Sequence, residues 1–339
     1  MENSNYKTML EFKSFSERLD KLTSDQFEDF ALELFHFQAH SNTVYNSYLE
    51  ARKVNPSSIK DLTSIPFLPI RFFKDKEVVC GNSSAFSKFY SSSGTTGMIT
   101  SKHLIWSEAW YLSHAKRIFE SYYGDLGGFH VLALLPAYLE RPGSSLVSMA
   151  KFFIDESGSP HSGFFLYNQK ELLDKLAFLS VDRKKVLLLG VTFALLDLAE
   201  SGLPFEKMEN LIVMETGGMK GRRREMIREE VHDSLKSYFQ VNKIHSEYGM
   251  TELMSQAYSQ GEGKFSLPLP LRVFLRDVND PYSQTVKSHG GINVIDLGNF
   301  HSCAFIETQD LGKIDENGML EVLGRFDNSE LRGCNLLVQ

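Results

Sequence analysis

Apolar residues recur at helical spacing through roughly the first fifty positions, with charged residues between them. Such a pattern gives each helix one apolar and one polar face, so this segment is predicted to form amphipathic helices with a structural role. Prolines at 56, 66 and 69 end the pattern, and the run 65–74 is excluded from a helix interior because proline lacks an amide donor. The apolar positions are Phe12, Phe15, Leu19, Leu22, Phe27, Phe30, Leu34 and Phe37.

From about residue 85, short apolar runs alternate with longer amphipathic segments. The apolar runs predict strands buried on both faces, and the amphipathic segments predict helices. Strands that alternate with helices pair in parallel, and ligands bind beyond the carboxyl ends of such strands. The predicted strands are 129–136, 185–191, 211–215 and 241–246, and the predicted helices are 107–123, 169–180, 192–202 and 222–238.

After about residue 265 the helical pattern gives way to short apolar runs separated by Gly, Asn and Asp, at 271–277, 291–297, 303–308 and 319–324. This spacing predicts a small antiparallel or barrel-like β unit. The expected organisation is an α/β core that includes the N-terminal helices at 1–264, a β subdomain at 265–324 and a short tail at 325–339.

Composition narrows the class of protein. The 36 basic and 43 acidic residues give a net charge of −7, so no diffuse basic field is available to gather nucleic acid. Cys80, Cys303 and Cys334 are scattered, which argues against a disulfide framework and a C-x-x-C metal site and favours a reducing compartment. The N-terminus is polar and no run reaches the roughly 18 apolar residues of a membrane span, so a cytoplasmic protein is expected.

The run Ser91–Gly97 reads S-S-S-G-T-T-G. Its hydroxyls and backbone amides can point into one concavity, which suits a polyphosphate. It lacks the G-x-x-x-x-G-K-[ST] pattern and is therefore not a Walker loop. The alternative is a flexible surface loop.

Two further motifs follow predicted strands. Glu247–Glu252 (E-Y-G-M-T-E) offers a ring for a purine and a carboxylate for Mg²⁺, the alternative being an ordinary strand-to-helix turn. Glu215–Gly221 (E-T-G-G-M-K-G) has adjacent glycines that let the backbone approach a flat ring, and the arginines at 222–224 fit a solvated helix face. Among the histidines only His245, directly before the first motif, is kept as a site candidate, and no spacing suggests zinc.

The β-rich end carries Thr308–Gly312 (T-Q-D-L-G) and Gly324–Asp327 (G-R-F-D). An aspartate can accept hydrogen bonds from a ribose diol, and an arginine can reach sugar or phosphate oxygens. Each of these segments alone is typical of an ordinary turn. Together with the three motifs above they supply the groups needed to hold ATP.

Read in order, these five motifs resemble the adenylate-forming superfamily of acyl-CoA synthetases and luciferases. The likeness is greatest to the acyl-protein synthetase (LuxE-like) branch, which is related to phenylacetate-CoA ligase. It is carried by I-P-F-L-P-I-R-F-F-K, the spacing from S-G-T-T-G to Ser101-Lys102-His103, E-Y-G-M-T-E-L-M-S-Q-A-Y and the terminal R-G-C-N-L-L-V, and it covers most of the chain. The implied fold is the large N-terminal domain of that superfamily, with parallel sheets flanked by helices and a small β-barrel-like subdomain.

The resemblance also implies roles for individual residues. Ser92, Ser93, Gly94, Thr95, Thr96 and Gly97 would grip the β and γ phosphates of ATP. Gly217 and Gly218 would line the adenine, and Tyr248 would stack on it. Thr251 would touch the α-phosphate, Glu252 would bind Mg²⁺, and Asp310 and Arg325 would hold the ribose. The implied partners are a carboxylic acid, in keeping with fatty acid activation, and an acyl-accepting protein or CoA.

One departure from the family concerns the C-terminal end. Larger members continue into a mobile domain with a catalytic lysine, whereas no lysine follows Lys313, so Lys102 is expected to supply the cation. Cys334 matches the terminal cysteine that acyl-protein synthetases use as acyl carrier, the alternative being a small apolar residue in a closing β segment. A CoA ligase and a non-catalytic nucleotide-binding subunit stay open as functions, and so do the acid and the oligomeric state.

Overall fold

The computed structural model describes residues 2–92, 100–135, 143–166, 168–218, 226–278, 280 and 289–325. Its α-helices are α1 Glu2–Leu19, α2 Phe27–Ser41, α3 Thr43–Ala51, α4 Phe72–Asp75, α5 Glu108–Tyr123, α6 Ser145–Glu156, α7 Gln169–Leu179, α8 Thr192–Ala199 and α9 Arg228–Phe239. Its strands are β1 Leu68–Pro69, β2 Lys88–Ser91, β3 Lys102–Ile105, β4 Phe129–Leu134, β5 Gly163–Phe165, β6 Lys185–Val191, β7 Leu211–Thr216, β8 His245–Tyr248, β9 Ala257–Ser259, β10 Lys264–Ser266, β11 Leu271–Arg276, β12 His289–Asp296, β13 Phe305–Ile314 and β14 Leu320–Arg325.

The described residues form two compact units. Unit 1 comprises the described residues within 1–72, 78–81 and 269–325, and unit 2 comprises those within 73–77 and 82–268. In unit 1, strands β11, β12, β13 and β14 pair antiparallel in chain order, and β1 pairs parallel with β13. The antiparallel pairing expected after residue 265 is therefore confirmed.

The N-terminal helices belong to unit 1 and pack through the apolar positions that the pattern singles out. The rings of Phe12 and Phe15 lie 6.1 and 6.3 Å from the ring of Phe300. The buried amide of Gln38 on α2 donates to the Asn299 carbonyl at 2.8 Å and accepts from the Ala304 N–H at 2.9 Å. This side chain satisfies backbone groups of the β12–β13 connection that would otherwise be buried without a partner.

The main sheet of unit 2 has the strand order β10-β9-β8-β7-β6-β4-β5. Strands β5, β4, β6, β7 and β8 are parallel, and β9 and β10 are antiparallel to their neighbours. Every residue of β4 is buried, and so is β6 beyond Lys185, because side chains from α5 to α9 join them in one core. The predicted alternation of helices and parallel strands is confirmed.

Several predicted bounds need correction. Strand β8 begins at His245 rather than at 241, because its pairing with β7 starts at Met214, so Glu247 and Tyr248 lie inside the strand and not after it. The segment Thr308–Gly312 is part of the ten-residue strand β13 rather than a turn, since β12 and β14 pair with it on both sides.

Helix α9 begins at Arg228, whereas the pattern predicted a start at 222, and residues 222–225 lie outside the described ranges. Helix α8 ends at Ala199, three residues before the predicted end at 202. Across the residues that the structure describes, no helix has the length and apolar character of a membrane span.

Candidate active site

The carboxyl ends of β7 and β8 bring two predicted motifs side by side. Thr216 pairs with Glu247 in the parallel register, so the chain leaves the sheet at Gly217 and at Gly249 from neighbouring strands. Gly217 has φ +77°, a conformation that favours glycine, and a Cβ on Gly218 would meet nothing within 4 Å. Among the described residues, the backbone at Gly218 therefore has open space beside it.

Glu215 lies buried on one face of these strands. Its carboxylate accepts a hydrogen bond from Thr192 Oγ1 at 2.7 Å and lies 3.5 Å from Arg228 Nη1 and 3.7 Å from His232 Nε2. Burial alone would raise the pKa of this carboxyl, but His232 and Arg228 outweigh it and the net pKa is lowered. The charged Glu215 thus ties the end of β7 to α8 and α9.

Glu247 lies buried on the opposite face, because neighbouring strand residues alternate between faces. The Thr216 hydroxyl donates to its carboxyl, and a side chain at position 249 would overlap that carboxyl. Burial raises the pKa of Glu247 to about 7; the Thr216 hydrogen bond opposes this and the negative Glu215 adds to it. Two adjacent strands therefore end in one charged carboxyl and one that is partly protonated at neutral pH.

The Tyr248 ring points to the same face as Glu215. It lies 5.9 Å from the ring of Phe265 at an interplanar angle of 59°, and the Arg228 guanidinium covers Phe265 at 5.0 Å. Tyr248 is only 9% exposed, so most of the residue is buried. His245 begins the same strand, where its Nδ1 lies 3.1 Å from the Tyr123 hydroxyl, and burial lowers its pKa to about 4.

The hairpin β2–β3 carries the two flanks of the S-S-S-G-T-T-G run. Ser92 and Ser101 close the loop end of the hairpin. The Ser92 N–H donates to the Ser101 carbonyl at 3.1 Å, and the Ser92 Oγ accepts from the Ser101 N–H at 2.9 Å. Ser93, Gly94, Thr95, Thr96 and Gly97 lie outside the described residues, and so does Cys334.

Lys102 follows this run on β3. Its ammonium group lies 3.8 Å from Glu77 Oε1 and 4.7 Å from the centre of the Phe89 ring. Lys102 and His103 are neighbours on a strand, so they point to opposite faces of the hairpin. The role of Lys102 as the catalytic cation stays a prediction.

His103 joins the hairpin to the segment after β8. It is fully buried, and its Nδ1 lies 2.8 Å from the carbonyl oxygen of Thr251, which is 148 residues further along the chain. Glu252 follows and is 5% exposed. The sequence patterns single out only His245 among the histidines, whereas His103 fits a core or surface residue. The position of His103 directly after the S-S-S-G-T-T-G loop, in S-K-H, is the one sequence signal that points to it.

Two more contacts hold the same segment. Met254 is fully buried in a cluster with Tyr90, Ile105 and Tyr111. The Nε2 atom of His114 on α5 lies 2.9 Å from the hydroxyl of Ser255. Burial lowers the pKa of His114 to about 3, so this ring is neutral at physiological pH. The hairpin, α5 and the segment after β8 form one packed assembly within unit 2.

Asp310 and Arg325 face each other in unit 1. They are directly paired across β13 and β14, and Arg325 Nε donates to Asp310 Oδ1 at 3.2 Å. Asp310 is buried, whereas the side chain of Arg325 is 75% exposed. The two residues taken from separate motifs are therefore brought together, with Asp310 as the fixed partner.

Searches with family models and against curated proteins give no match. Solved structures do match. MatB from Rhodopseudomonas palustris with ATP bound has a TM-score of 0.53 and 19% identity over 73% of this chain and 49% of that chain. O-succinylbenzoate coenzyme A synthetase (MenE) from Bacillus subtilis with ATP and magnesium ion has a TM-score of 0.50 and 17% identity over 72% and 51%. A double mutant of that synthetase bound with its product analogue OSB-NCoA has a TM-score of 0.51 and 17% identity over 73% and 50%.

The chain shares the mixed α/β fold of these solved structures. It spans about half the length of the solved structures that it matches. The fold implied by the sequence motifs is thus confirmed.

Proposed function

We propose that the chain uses ATP and Mg²⁺ to convert a carboxylic acid into an acyl-adenylate and then passes the acyl group to a thiol. The observation that carries this proposal is the assembly in unit 2. There the hairpin that flanks S-S-S-G-T-T-G is hydrogen-bonded through His103 to the segment that carries Thr251 and Glu252. The fold, shared with synthetases solved with ATP, supports the same activity.

The chemistry requires alignment more than covalent help from the protein. A carboxylate oxygen of the acid attacks the α-phosphorus of ATP, the bond to the β-phosphate oxygen breaks, and pyrophosphate leaves. A thiolate sulfur then attacks the acyl carbon of the mixed anhydride, and AMP leaves with the bonding electron pair. The task of the site is to hold the reactants in line and to spread the transferred negative charge.

The residue assignments follow from the groups that each segment offers. The run Ser92–Gly97 takes the β and γ phosphates, and Thr251 takes the α-phosphate. Glu252 supplies one carboxylate, which fits Mg²⁺ because that ion is usually held by one or two carboxylates together with substrate phosphates and water. The adenine is assigned to Gly217, Gly218 and Tyr248, and the ribose to Asp310 with Arg325 beside it. Bound Mg²⁺ would neutralise phosphate charge.

The acceptor thiol is assigned to Cys334, as in an acyl-protein synthetase of the LuxE-like type, with Lys102 as the assisting cation and a fatty acid as the expected substrate. CoA is the second candidate acceptor. It is favoured by the matched synthetase solved with OSB-NCoA. The two differ in where the acyl group is found after reaction.

A panel of carboxylic acids tested for acid-dependent exchange of labelled pyrophosphate into ATP decides the first step. We expect exchange with at least one acid, loss of exchange when EDTA removes Mg²⁺, and loss in Thr95→Ala without a matching loss of thermal stability. ATP binding with no exchange for any acid would instead identify a non-catalytic nucleotide-binding subunit.

The acceptor is decided by incubating the protein with ATP, Mg²⁺ and the labelled acid, with and without CoA. A hydroxylamine-sensitive label on the wild type that is absent from Cys334→Ser, while pyrophosphate exchange continues, supports the protein thiol. Acyl-CoA formation without protein label selects CoA. A thioester label that persists on Cys334→Ser removes Cys334 from the mechanism.

A further inference from the structure

Among the contacts between described residues, three join the segment Met250–Gln256 to the hairpin β2–β3 and to α5. The contact of His103 differs from the other two in the group that it holds. Met254 is an apolar anchor, and His114 meets a side-chain hydroxyl. His103 instead meets the backbone oxygen of Thr251. A bond to the main chain fixes the position of the peptide itself, and with it the start of the next residue, Glu252.

His103, the donor of this hydrogen bond, is itself held firmly in the hairpin. His103 is on β3, paired with Tyr90 on β2, and the adjacent pair Ser91 and Lys102 leads into the loop end of the hairpin. The edge of the His103 ring meets the ring of Phe73 at 5.4 Å and an angle of 87°. The imidazole is fully buried and held in one orientation. The Thr251 peptide is therefore kept at a fixed distance from the hairpin.

The direction of the hydrogen bond follows from its partner. A carbonyl oxygen can only accept, so Nδ1 of His103 carries the proton and donates it to Thr251. An asparagine at position 103 places an amide N–H close to where Nδ1 stands, because both nitrogens are bonded to Cγ. A glutamine places its amide one bond further out, near Nε2. Both variants place a polar amide at this buried position, but only the asparagine places its N–H where it can donate to the Thr251 carbonyl. Comparing them therefore tests the hydrogen bond itself.

We propose that His103 is a positioning residue that sets Thr251 and Glu252 relative to the hairpin flanking S-S-S-G-T-T-G, and through them the alignment of the adenylation step. The proposal rests on the function proposed above. In this proposal His103 acts through its hydrogen bond to the Thr251 peptide. A shift of that peptide changes alignment in the transition state more than it changes nucleotide binding.

The experiment compares His103→Asn, His103→Gln and His103→Leu in the full chain, with His130→Leu as the matched control. His130, near the start of β4, is also a buried histidine of unit 2, but its Nδ1 lies 2.6 Å from the hydroxyl of Ser159. We expect kcat for acid-dependent pyrophosphate exchange to fall about tenfold or more in the glutamine and leucine variants, with a much smaller change in KM for ATP. His103→Asn should stay within about threefold of wild type, and His130→Leu should keep the wild-type kcat.

An equal loss of kcat in the asparagine and glutamine variants overturns the proposal, because the hydrogen bond from position 103 would then have no effect of its own. An unchanged kcat in both variants overturns it as well, because His103 would then not affect the reaction. Hydrogen exchange measured by mass spectrometry supplies an arm that needs no activity. Amides of 248–256 should exchange faster in His103→Gln than in His103→Asn, while those of 185–191 should not differ. If the wild type does not incorporate labelled pyrophosphate into ATP, the proposed function fails. The hydrogen-exchange comparison still tests whether His103 holds the Thr251 peptide, because it needs no activity.

Discussion

Replacing Glu247 by glutamine removes a carboxyl whose pKa burial raises from 4.5 to about 7. Between these two values the folded protein holds a proton that the unfolded chain has released. The folded state therefore binds more protons, and the free energy of unfolding falls as the pH rises through this window. Each unit of pKa corresponds to about 1.4 kcal/mol, so the carboxyl lowers stability by about 3 kcal/mol once it is fully ionised.

The assay is urea unfolding of the wild type and of Glu247→Gln from about pH 4.5 to about pH 8. Glutamine keeps the size of the side chain and an oxygen that accepts from Thr216, but it does not titrate. The two proteins should differ least in stability at the acidic end. Towards pH 8 the variant should become more stable than the wild type by up to about 3 kcal/mol.

Glu215→Gln is the control of opposite sign on the neighbouring strand. The pKa of Glu215 is lowered, so its ionised form stabilises the folded protein above the ordinary pKa of a glutamate, and this contribution is lost as the pH falls. The Glu215→Gln variant should therefore be weakest relative to wild type at neutral pH and approach it in acid. Parallel stability curves for the wild type and Glu247→Gln would refute the assignment of the raised pKa to Glu247.

Three further expectations concern both units. Asp310→Ala should raise KM for ATP by one to two orders of magnitude, about 1.4 kcal/mol per tenfold, and Arg325→Ala should raise it less because that side chain is 75% exposed, as measured by steady-state kinetics. Gly217→Ala should lower the free energy of unfolding by about 1–2 kcal/mol because of its positive φ, whereas Gly218→Ala should leave it unchanged and weaken ATP binding in calorimetry. Met254→Ala should cost about 2–5 kcal/mol of stability in urea unfolding, since it empties a fully buried site; a smaller loss would mean that the cluster collapses around it.

The regular part of the fold could be predicted because its signal is local. The run 185–191 is a strand with the predicted bounds, and its neighbours pair in parallel as the alternation of elements implies. A strand buried on both faces needs an unbroken apolar run, and the helices between such strands need one apolar stripe each. Both requirements can be checked within a few consecutive residues.

The strand ends could not be predicted in the same way, because they depend on a partner strand. The start of β8 is set by its pairing with β7, and the strand character of Thr308–Gly312 is set by β12 and β14. The same holds for the contact between His103 and Thr251, whose partners lie 148 residues apart. In the local sequence, only its place in S-K-H after the loop separates this histidine from one that fills the core.

Buried contacts of two glutamates fix the carboxyl ends of β7 and β8, from which the candidate ligand-binding turns begin. On one face Glu215 is charged and bound to α8 and α9 through Thr192, Arg228 and His232, so the strand end is tied to the helices behind it. On the other face the Glu247 carboxyl accepts a hydrogen bond from the Thr216 hydroxyl, and burial raises its pKa to about 7. The negative charge of Glu215 on the opposite face adds to this upward shift. A proton held on Glu247 therefore reduces the negative charge that is buried near the points where the chain leaves the sheet, at Gly217 and Gly249.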